Sequence, residues 1–408
     1  MNCVRKQNTI YFQKLNNPKA VSDFLLELQS GINAGYSEFG FDFKEVEHIF
    51  PNAVVPISGI LEYYRKEYNL EFLDYDLPYA IENSGLFNPY TIESLVDPVD
   101  EPLNKIWKFT QFEHVFLLVN SFIDELSKTD QFTEGVLNGI EWSLNEVMDN
   151  VLQHSDTAYG FVMGQIHRNS NHIAFCIFDS GRGIFNSLKN SHYKPKNPVD
   201  ALTLCIKEGV TRDKKIGQGN GMYGLSEIVK SNNGALSIVS NKAAMQIKAN
   251  DVKFFKNLPT ISFQNGCTTI DFQLDYNNSI DIDLILKKNL SSSGFVNYRL
   301  EDLENDSGEI EYKLYEKAKG FGTRKSGLKV RNEIINIHTE SRKPINLDFK
   351  GVNLVSSSFA DELVGKLVIN YGFIGFNNVI RLRNMNDLVQ TIVQRSVSQR
   401  IIENNNPI

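Results

Sequence analysis

The chain has 408 residues, of which 41% are hydrophobic and 22% are charged, as is ordinary for globular domains. This length allows about two to four domains. Acidic residues outnumber basic ones by 49 to 42, which gives a net charge of −7. That balance disfavours a general nucleic-acid surface, although it does not exclude a local patch.

The cysteines and the N-terminus bear on the cellular compartment. Cys3, Cys176, Cys205 and Cys267 have no C-x-x-C spacing, so we expect reduced thiols that pack as small hydrophobic groups. The first residues have no apolar run typical of a signal peptide, and no uncharged apolar run of about 18 residues occurs. We therefore predict a cytoplasmic protein without a membrane segment.

Residues 1–76 predict a small α/β domain. Alternating and helical hydrophobic spacings favour strands at 10–15, 39–43 and 70–73, with a helix at 20–32 and a second one through Ile60. Residues 77–103 contain four prolines and little periodicity. We expect them to form an extended connector that packs on its neighbours through Phe87 and Tyr90.

Residues 104–290 predict a central domain that begins with two helices, the first from Asn104 through Trp107 to Ile123 and the second from Phe132 into the following motif. Serines at 291–293 suggest a boundary, after which residues 291–408 form a third domain. Its predicted strands are 295–300, 345–349 and 379–382, and its predicted helices are 327–337 and 359–370.

Three short motifs in the central domain have chemistry suited to a nucleotide. Glu146 and Asn150 lie four residues apart, so a helix presents both on one face. Asp179 follows an apolar, strand-like run and is itself followed by Gly181 and Gly183. A cluster of glycines then opens a helix; its members are Gly217, Gly219, Gly221 and Gly224.

Each motif suits a different part of an ATP–Mg²⁺ complex. Asp179 suits a hydrogen bond from the exocyclic amine of adenine, and the glycines after it allow close approach of the base. The glycine cluster offers bare backbone N–H groups to phosphates at a helix N-terminus. The side-chain oxygen of Asn150 suits Mg²⁺, and Glu146 suits a general base near the γ-phosphate.

In this order, the three motifs resemble those of the GHKL ATPases, which share the Bergerat ATP-binding fold. The resemblance covers residues 104–275 and implies a sandwich with helices on one face of a mixed sheet, with a lid over ATP at 184–216. It implies that Glu146 is the general base and Asn150 the Mg²⁺ ligand. The residues implied to bind the nucleotide are Asn150, Asp179, Gly181, Gly183, Gly217, Gly219, Gly221, Met222, Tyr223, Gly224, Leu225 and Thr268. Cys267 stands where the family usually has glycine.

A repeat links the two ends of the chain. Residues 41–46 (Phe-Asp-Phe-Lys-Glu-Val) align without gaps with residues 347–352 (Leu-Asp-Phe-Lys-Gly-Val), 306 positions later. This strand, loop and helix pattern resembles STAS domains, the fold of anti-anti-sigma factors. The C-terminal copy also resembles a STAS-like domain of undefined role in bacterial proteins. We therefore expect an α/β (α+β) protein in which two small STAS-like domains flank the ATP-binding sandwich.

A serine run in the C-terminal copy has two interpretations. In anti-anti-sigma factors the matching loop reads Asp-Ser-Ser-Gly, and one serine is phosphorylated by a GHKL serine kinase. Here Ser356 replaces the aspartate and Phe359 the glycine. Ser357 and Ser358 are therefore candidate phospho-acceptors, or the run caps the following helix, because a serine hydroxyl satisfies a free N–H there.

The leading expectation is a bacterial GHKL ATPase that binds ATP and Mg²⁺. Its nucleotide state would control the STAS-like domains and their protein partner in a signalling or defence switch. One alternative is a protein serine kinase acting on Ser357, Ser358 or a partner. Another is a homodimeric, ATP-operated clamp on nucleic acid, although the one basic cluster, 313–331, is more simply a solvated surface. A histidine kinase is disfavoured, because His154 lies in the helix that carries Glu146.

Overall fold

The structure is a computed structural model that describes residues 1–73, 76–92, 101–210, 220–249, 251–261, 266–289 and 298–405. It has two compact units, Met1–Phe122 with Gly139–Ser293 and Ile123–Asn138 with Gly294–Ile408. Helices combine with mixed sheets in it, which confirms the predicted α+β class. The predicted domain boundaries are finer than this division and stay predictions.

The first unit opens with a small four-stranded sheet. Its elements are β1 (Cys3–Lys6), β2 (Thr9–Phe12), α1 (Lys19–Asn33), β3 (Glu38–Asp42), α2 (Pro51–Tyr68) and β4 (Glu71–Leu73). The strand order is β1-β2-β3-β4, with β1 antiparallel to β2 and the other pairs parallel. The strands and helices predicted for this part of the chain are confirmed, except that the strand predicted at 10–15 ends at Phe12.

The segment after β4 is only partly the extended connector that was predicted. It contains α3 (Tyr79–Ser84) and a short strand, β5 (Tyr90–Thr91), because both pack into the first unit. The ring of Phe87 lies 5.2 Å from that of Phe41, and the ring of Tyr90 lies 5.3 Å from that of Trp107. The predicted anchoring of this segment through Phe87 and Tyr90 is therefore confirmed.

An eight-stranded mixed sheet forms the centre of the first unit, in the order β11-β10-β9-β12-β8-β7-β6-β5. Its further elements are β6 (Trp107–Phe109), α4 (Phe112–Thr129), α5 (Val136–His154), β7 (Gly160–His167), β8 (His172–Asp179), α6 (Gly183–Leu188), α7 (Pro198–Cys205), α8 (Gly221–Ser231), β9 (Ala235–Ser240), β10 (Ala243–Lys248), β11 (Asp251–Lys256), β12 (Thr268–Asp275) and α9 (Ile282–Asn289). A 3₁₀ turn, Arg168–Ser170, joins β7 to β8. The helix predicted from Asn104 is wrong at its start, because Trp107 pairs with Val162 of β7 and the helix begins only at Phe112.

Both faces of this sheet are covered by helices. Phe175 of β8 packs on Phe122 of α4, with ring centroids 5.2 Å apart, so alternation places Asp179 on that same face. Phe178 points to the opposite face, towards α2. A Cβ on Gly59 of α2 would lie 2.2 Å from the Phe178 ring, so glycine allows α2 to lie directly on the sheet.

The second unit contains a three-stranded parallel sheet in the order β13-β14-β15. Its elements are α10 (Tyr298–Glu301), β13 (Ile310–Lys313), α11 (Leu314–Lys317), α12 (Arg324–Ser341), β14 (Ile345–Asp348), α13 (Ser357–Ala360), a π-helical turn (Asp361–Gly365), α14 (Lys366–Val379), β15 (Ile380–Arg383) and α15 (Asp387–Asn405). The strand predicted at 295–300 is wrong from residue 298 onward, where the chain is helical. Its first three residues and the predicted boundary at 291–294 lie outside the described residues.

The two copies of the sequence repeat fold alike. Each runs strand, helix, strand, helix, strand, with the three strands parallel and in sequential order. After β3 the Lys44 amide donates to Asp42 Oδ1, and after β14 the Lys350 amide donates to Asp348 Oδ1, both at 2.9 Å. The repeat is thus a structural one that includes the turn in which the sequence match lies.

Candidate nucleotide-binding site

The first and third motifs meet at the start of α8. Glu146 and Asn150 project from α5, and Gly221, the first residue of α8, lies against both. A Cβ at position 221 would lie 2.2 Å from Glu146 Oε2 and 3.4 Å from Asn150 Nδ2. Since any larger side chain would displace the carboxylate, glycine is needed here for the close approach.

The electrostatics of α5 suit proton transfer near neutral pH. Burial, helped by the negative charge of Asp149, raises the pKa of Glu146 from 4.5 to about 7. Burial also raises the pKa of Asp149. A carboxyl group whose pKa lies near the working pH is well placed to act as a general base.

The later residues of the glycine motif hold α8 against α5. A Cβ on Gly224 would lie 2.2 Å from the Trp142 ring of α5. Leu225 is buried, whereas Met222 and Tyr223 are partly exposed at the helix start. Gly217 and Gly219 lie outside the described residues, so their predicted contact with phosphate stays a prediction.

The second motif places a buried carboxylate at the end of β8. Asp179 accepts a hydrogen bond from the Gly181 amide at 2.9 Å. It also accepts one from the hydroxyl of Thr268, which lies directly opposite on β12. Burial outweighs both hydrogen bonds and raises the pKa of Asp179 from 3.8 to about 7. An added N–H donor from a ligand would favour the ionised form.

Close backbone contacts explain the glycines that follow Asp179. A Cβ on Gly181 would lie 2.1 Å from the carbonyl oxygen of Ser155. Gly183 has φ +75°, and a Cβ there would lie 2.1 Å from the carbonyl oxygen of Gly266. The Arg182 amide also donates to the Ser155 carbonyl at 2.9 Å. This turn is therefore built for tight packing of backbone on backbone.

Two polar residues that the motifs did not reveal support the same turn. Ser240, at the end of β9, lies with its Oγ 3.2 Å from Thr268 Oγ1 and accepts a hydrogen bond from the Ile184 amide at 2.9 Å. The next residue, Asn241, accepts one from the Phe185 amide at 3.0 Å. In sequence they are an ordinary Ser-Asn turn, so no signal identified them.

Tyr159 connects this turn to α2 within the first unit. Its hydroxyl shares a hydrogen bond with the Ser180 side chain. Its ring lies 4.3 Å from Lys66 Nζ and 4.4 Å from Lys108 Nζ. Both lysines pair with Glu62 of α2, at 3.3 and 2.8 Å. The N-terminal copy of the repeat therefore contacts the Asp179 turn through a defined set of side chains.

The serine run of the C-terminal copy caps a helix. Ser356 Oγ accepts a hydrogen bond from the Phe359 amide at 3.0 Å and lies 3.0 Å from Ser358 Oγ. The cap interpretation is confirmed for Ser356. Ser357 is exposed and Ser358 is partly buried, and their role as phospho-acceptors stays a prediction.

Part of the predicted basic cluster at 313–331 forms ion pairs within the second unit. Arg324 and Arg331 both pair with Glu362, at 3.0 and 3.1 Å. Lys329 lies 3.4 Å from Glu125. These three cations already have acidic partners, which lowers the positive charge that this cluster offers to a nucleic acid.

Comparison with protein families finds one match. Residues 326–390 match the model of a STAS-like domain of unknown function, DUF4325. This segment runs from α12 to the start of α15, so the predicted STAS-like character of the C-terminal copy is confirmed. The chain matches no curated protein. None of the helices in the described ranges is long and apolar enough to cross a membrane.

Proposed function

We propose that the first unit binds ATP and Mg²⁺ between α5, β8 and α8, and that the chain is a regulatory ATPase of the GHKL type. The observation that supports this most strongly is the convergence of Glu146 and Asn150 on Gly221 at a helix N-terminus. Asp179 adds a buried acceptor on the face of the sheet that α4 covers. The STAS-like C-terminal copy is suited to binding a protein partner.

The described residues fit this ligand. Mg²⁺ prefers oxygen ligands and keeps several waters, so Asn150 would hold it together with phosphate oxygens. No group of three or more His, Cys, Asp or Glu side chains in the described ranges is placed to hold a metal by itself. The bound ATP supplies a transferable γ-phosphoryl group. Glu146, with its pKa near 7, would accept the proton of the attacking water or hydroxyl.

The nucleotide state would control the N-terminal copy of the repeat by contact. In the Asp179 turn, Ser180 forms a hydrogen bond with Tyr159, and the ammonium group of Lys66 of α2 lies over the Tyr159 ring. A ligand that orders this turn therefore acts on side chains that also hold the N-terminal copy. The C-terminal copy would respond to the nucleotide state as the part that binds a protein partner in a bacterial signalling or defence switch.

A protein serine kinase is the second candidate, and the exposure of Ser357 at a helix start favours it. Phosphorylation there would add a charge of about −1.5 to −2. The helix dipole stabilises negative charge at this end. A serine of a separate partner protein could accept the phosphoryl group in the same way.

Incubation of the full chain with γ-labelled ATP and Mg²⁺ separates the two candidates. For an ATPase, label appears as free phosphate in wild type and is lost in Glu146→Gln. For a kinase acting on the chain itself, label stays on the protein and disappears in the Ser357→Ala/Ser358→Ala double variant. The same double variant is the matched control for the ATPase, since it leaves phosphate release unchanged. If no label is released or transferred, with or without a partner, both catalytic proposals fail.

A further inference from the structure

β11 is an outermost strand of the eight-stranded sheet among the described residues, and its composition is unusual for that position. All six of its residues are exposed. Val252, Phe254 and Phe255 are exposed to 41%, 39% and 43%. Their neighbours in β10 differ sharply, because Met245, which pairs with Phe254, is fully buried.

Such an edge is open to pairing with another strand. Edge strands are normally protected by short length, proline or inward-pointing charges, because their outer N–H and C=O groups are free to bond. β11 is six residues long, contains no proline and carries one acidic and two basic residues. Lys253 Nζ lies 3.2 Å from Asp251, which leaves little net charge to repel a similar strand.

We propose that β11 pairs with β11 of a second copy of this chain, in antiparallel orientation, to form one continuous sheet. Backbone hydrogen bonds would supply affinity, and the exposed apolar side chains would be covered on both faces of the new pair. This inference is independent of nucleotide binding.

The side chains favour one register. In a dimer with its two-fold axis normal to the sheet, side chains on one face of the first copy stay on that face in the second copy. Each odd-numbered residue of one β11 therefore lies opposite an odd-numbered residue of the other, and each even-numbered residue opposite an even-numbered one. A pair centred on Lys253 would set like charges against each other, which is destabilising. In a pair centred on Phe254, the two Phe254 side chains contact each other. Lys253 then lies opposite Phe255 of the second copy, and Val252 lies opposite the aliphatic stem of Lys256. Centring on Phe255 leaves Val252 facing residues beyond the end of the strand.

Sedimentation of the full chain over a range of concentrations tests the pairing. We expect a wild-type dimer and a dissociation constant raised about tenfold or more in Phe254→Asp, because two buried carboxylates would face each other. Phe116→Asp is the matched control, since Phe116 is 57% exposed on α4, away from β11. Its dimer should match that of wild type. Wild type that is monomeric at every concentration overturns the proposal and leaves an extended peptide of another protein as the occupant. A dimer that Phe254→Asp does not weaken overturns it as well.

Cysteine cross-linking tests the register. All four native cysteines are free and buried, which confirms the predicted thiols and leaves an introduced cysteine as the exposed one. Phe254→Cys should form a disulfide-linked dimer under mild oxidation, since facing Cα atoms in an antiparallel pair are within disulfide range. Val252→Cys, which faces Lys256 instead of itself, should cross-link far more slowly. Equal rates for the two variants would overturn the register.

Discussion

The two faces of the eight-stranded sheet each bury an aspartate, and the surroundings of the two differ. On the face covered by α2, Asp271 accepts hydrogen bonds from the side-chain amides of Asn52 at 3.5 Å and Gln273 at 3.1 Å. Burial raises its pKa to about 6. On the other face, Asp179 is held by the Gly181 amide and the Thr268 hydroxyl, and burial raises its pKa to about 7.

The comparison teaches that burial and a raised pKa do not alone define a binding site. Asp271 lies within a strand, beneath a helix that Gly59 brings close, and its partners are side chains of the same chain. Asp179 ends its strand at a turn whose glycines pack backbone on backbone. It also shares its face of the sheet with the helix that carries Glu146. The neighbours distinguish a structural acid from a candidate ligand-binding one.

The largest contrast between the faces should be in turnover. Glu146→Gln removes the proposed base, so phosphate release should fall roughly 10²- to 10⁴-fold while ATP still binds. Asp271→Asn, on the opposite face, should keep its turnover. Phosphate-release assays and calorimetry on the same preparations measure both quantities. Full turnover in Glu146→Gln would rule out the catalytic role, and parallel loss of binding and turnover would indicate a structural one.

The α2 face should respond most strongly to packing changes. Gly59→Ala places a Cβ 2.2 Å from the buried Phe178 ring, so we expect a loss of about 1–3 kcal/mol in the free energy of unfolding. The matched control is Gly365→Ala, at the same position of the second copy. There a Cβ would lie 3.2 Å from Arg400 Cγ and from Asp361 Oδ1, so no ring stands in its way. Urea unfolding followed by circular dichroism compares the two, and equal losses would contradict the tight α2 contact.

A smaller effect is expected in the pH dependence of turnover, where Asp149 should act on Glu146. Because burial first and Asp149 second raise the pKa of Glu146 to about 7, the base form appears as pH rises through about 7, and turnover should rise with it. Asp149→Asn removes the second cause, so the rising limb should move to lower pH. A pH–rate profile at saturating ATP measures this shift. An unchanged midpoint would mean that Asp149 does not act on the catalytic group.

The sequence predicted those parts of the site that depend on local geometry. The helical repeat places Glu146 and Asn150 on one face wherever the helix lies. The position of Thr268 opposite Asp179 depends on strand register, which periodicity does not give. The family resemblance implied only that Thr268 belongs to the site, and its place opposite Asp179 comes from the pairing of β12 with β8. Trp142 was not predicted, because a tryptophan in a helical pattern is usually a core residue.

The errors occurred where tertiary context decides the local structure. Trp107 fits a helical spacing with Phe112 and Val115, but it pairs with Val162 of β7 as part of a strand. The aromatic residue Tyr298 favours a strand, yet it begins a helix. The location of α2 was not predicted either. Its first turns are mostly apolar and are buried on all sides, which is typical of a fully buried helix, but no local pattern specifies which sheet covers it.

Calorimetric titration of ATP with Mg²⁺ into the full chain tests the central claim most directly. At pH 8, where Asp179 is ionised, wild type and Asp271→Asn should bind ATP with similar affinity. Asp179→Asn should bind about 10- to 100-fold more weakly, because it loses a charge-assisted hydrogen bond worth roughly 1.5–3 kcal/mol. Circular dichroism establishes that each variant is folded. No binding by wild type, or equal affinity in the two aspartate variants, would contradict an adenine site at Asp179.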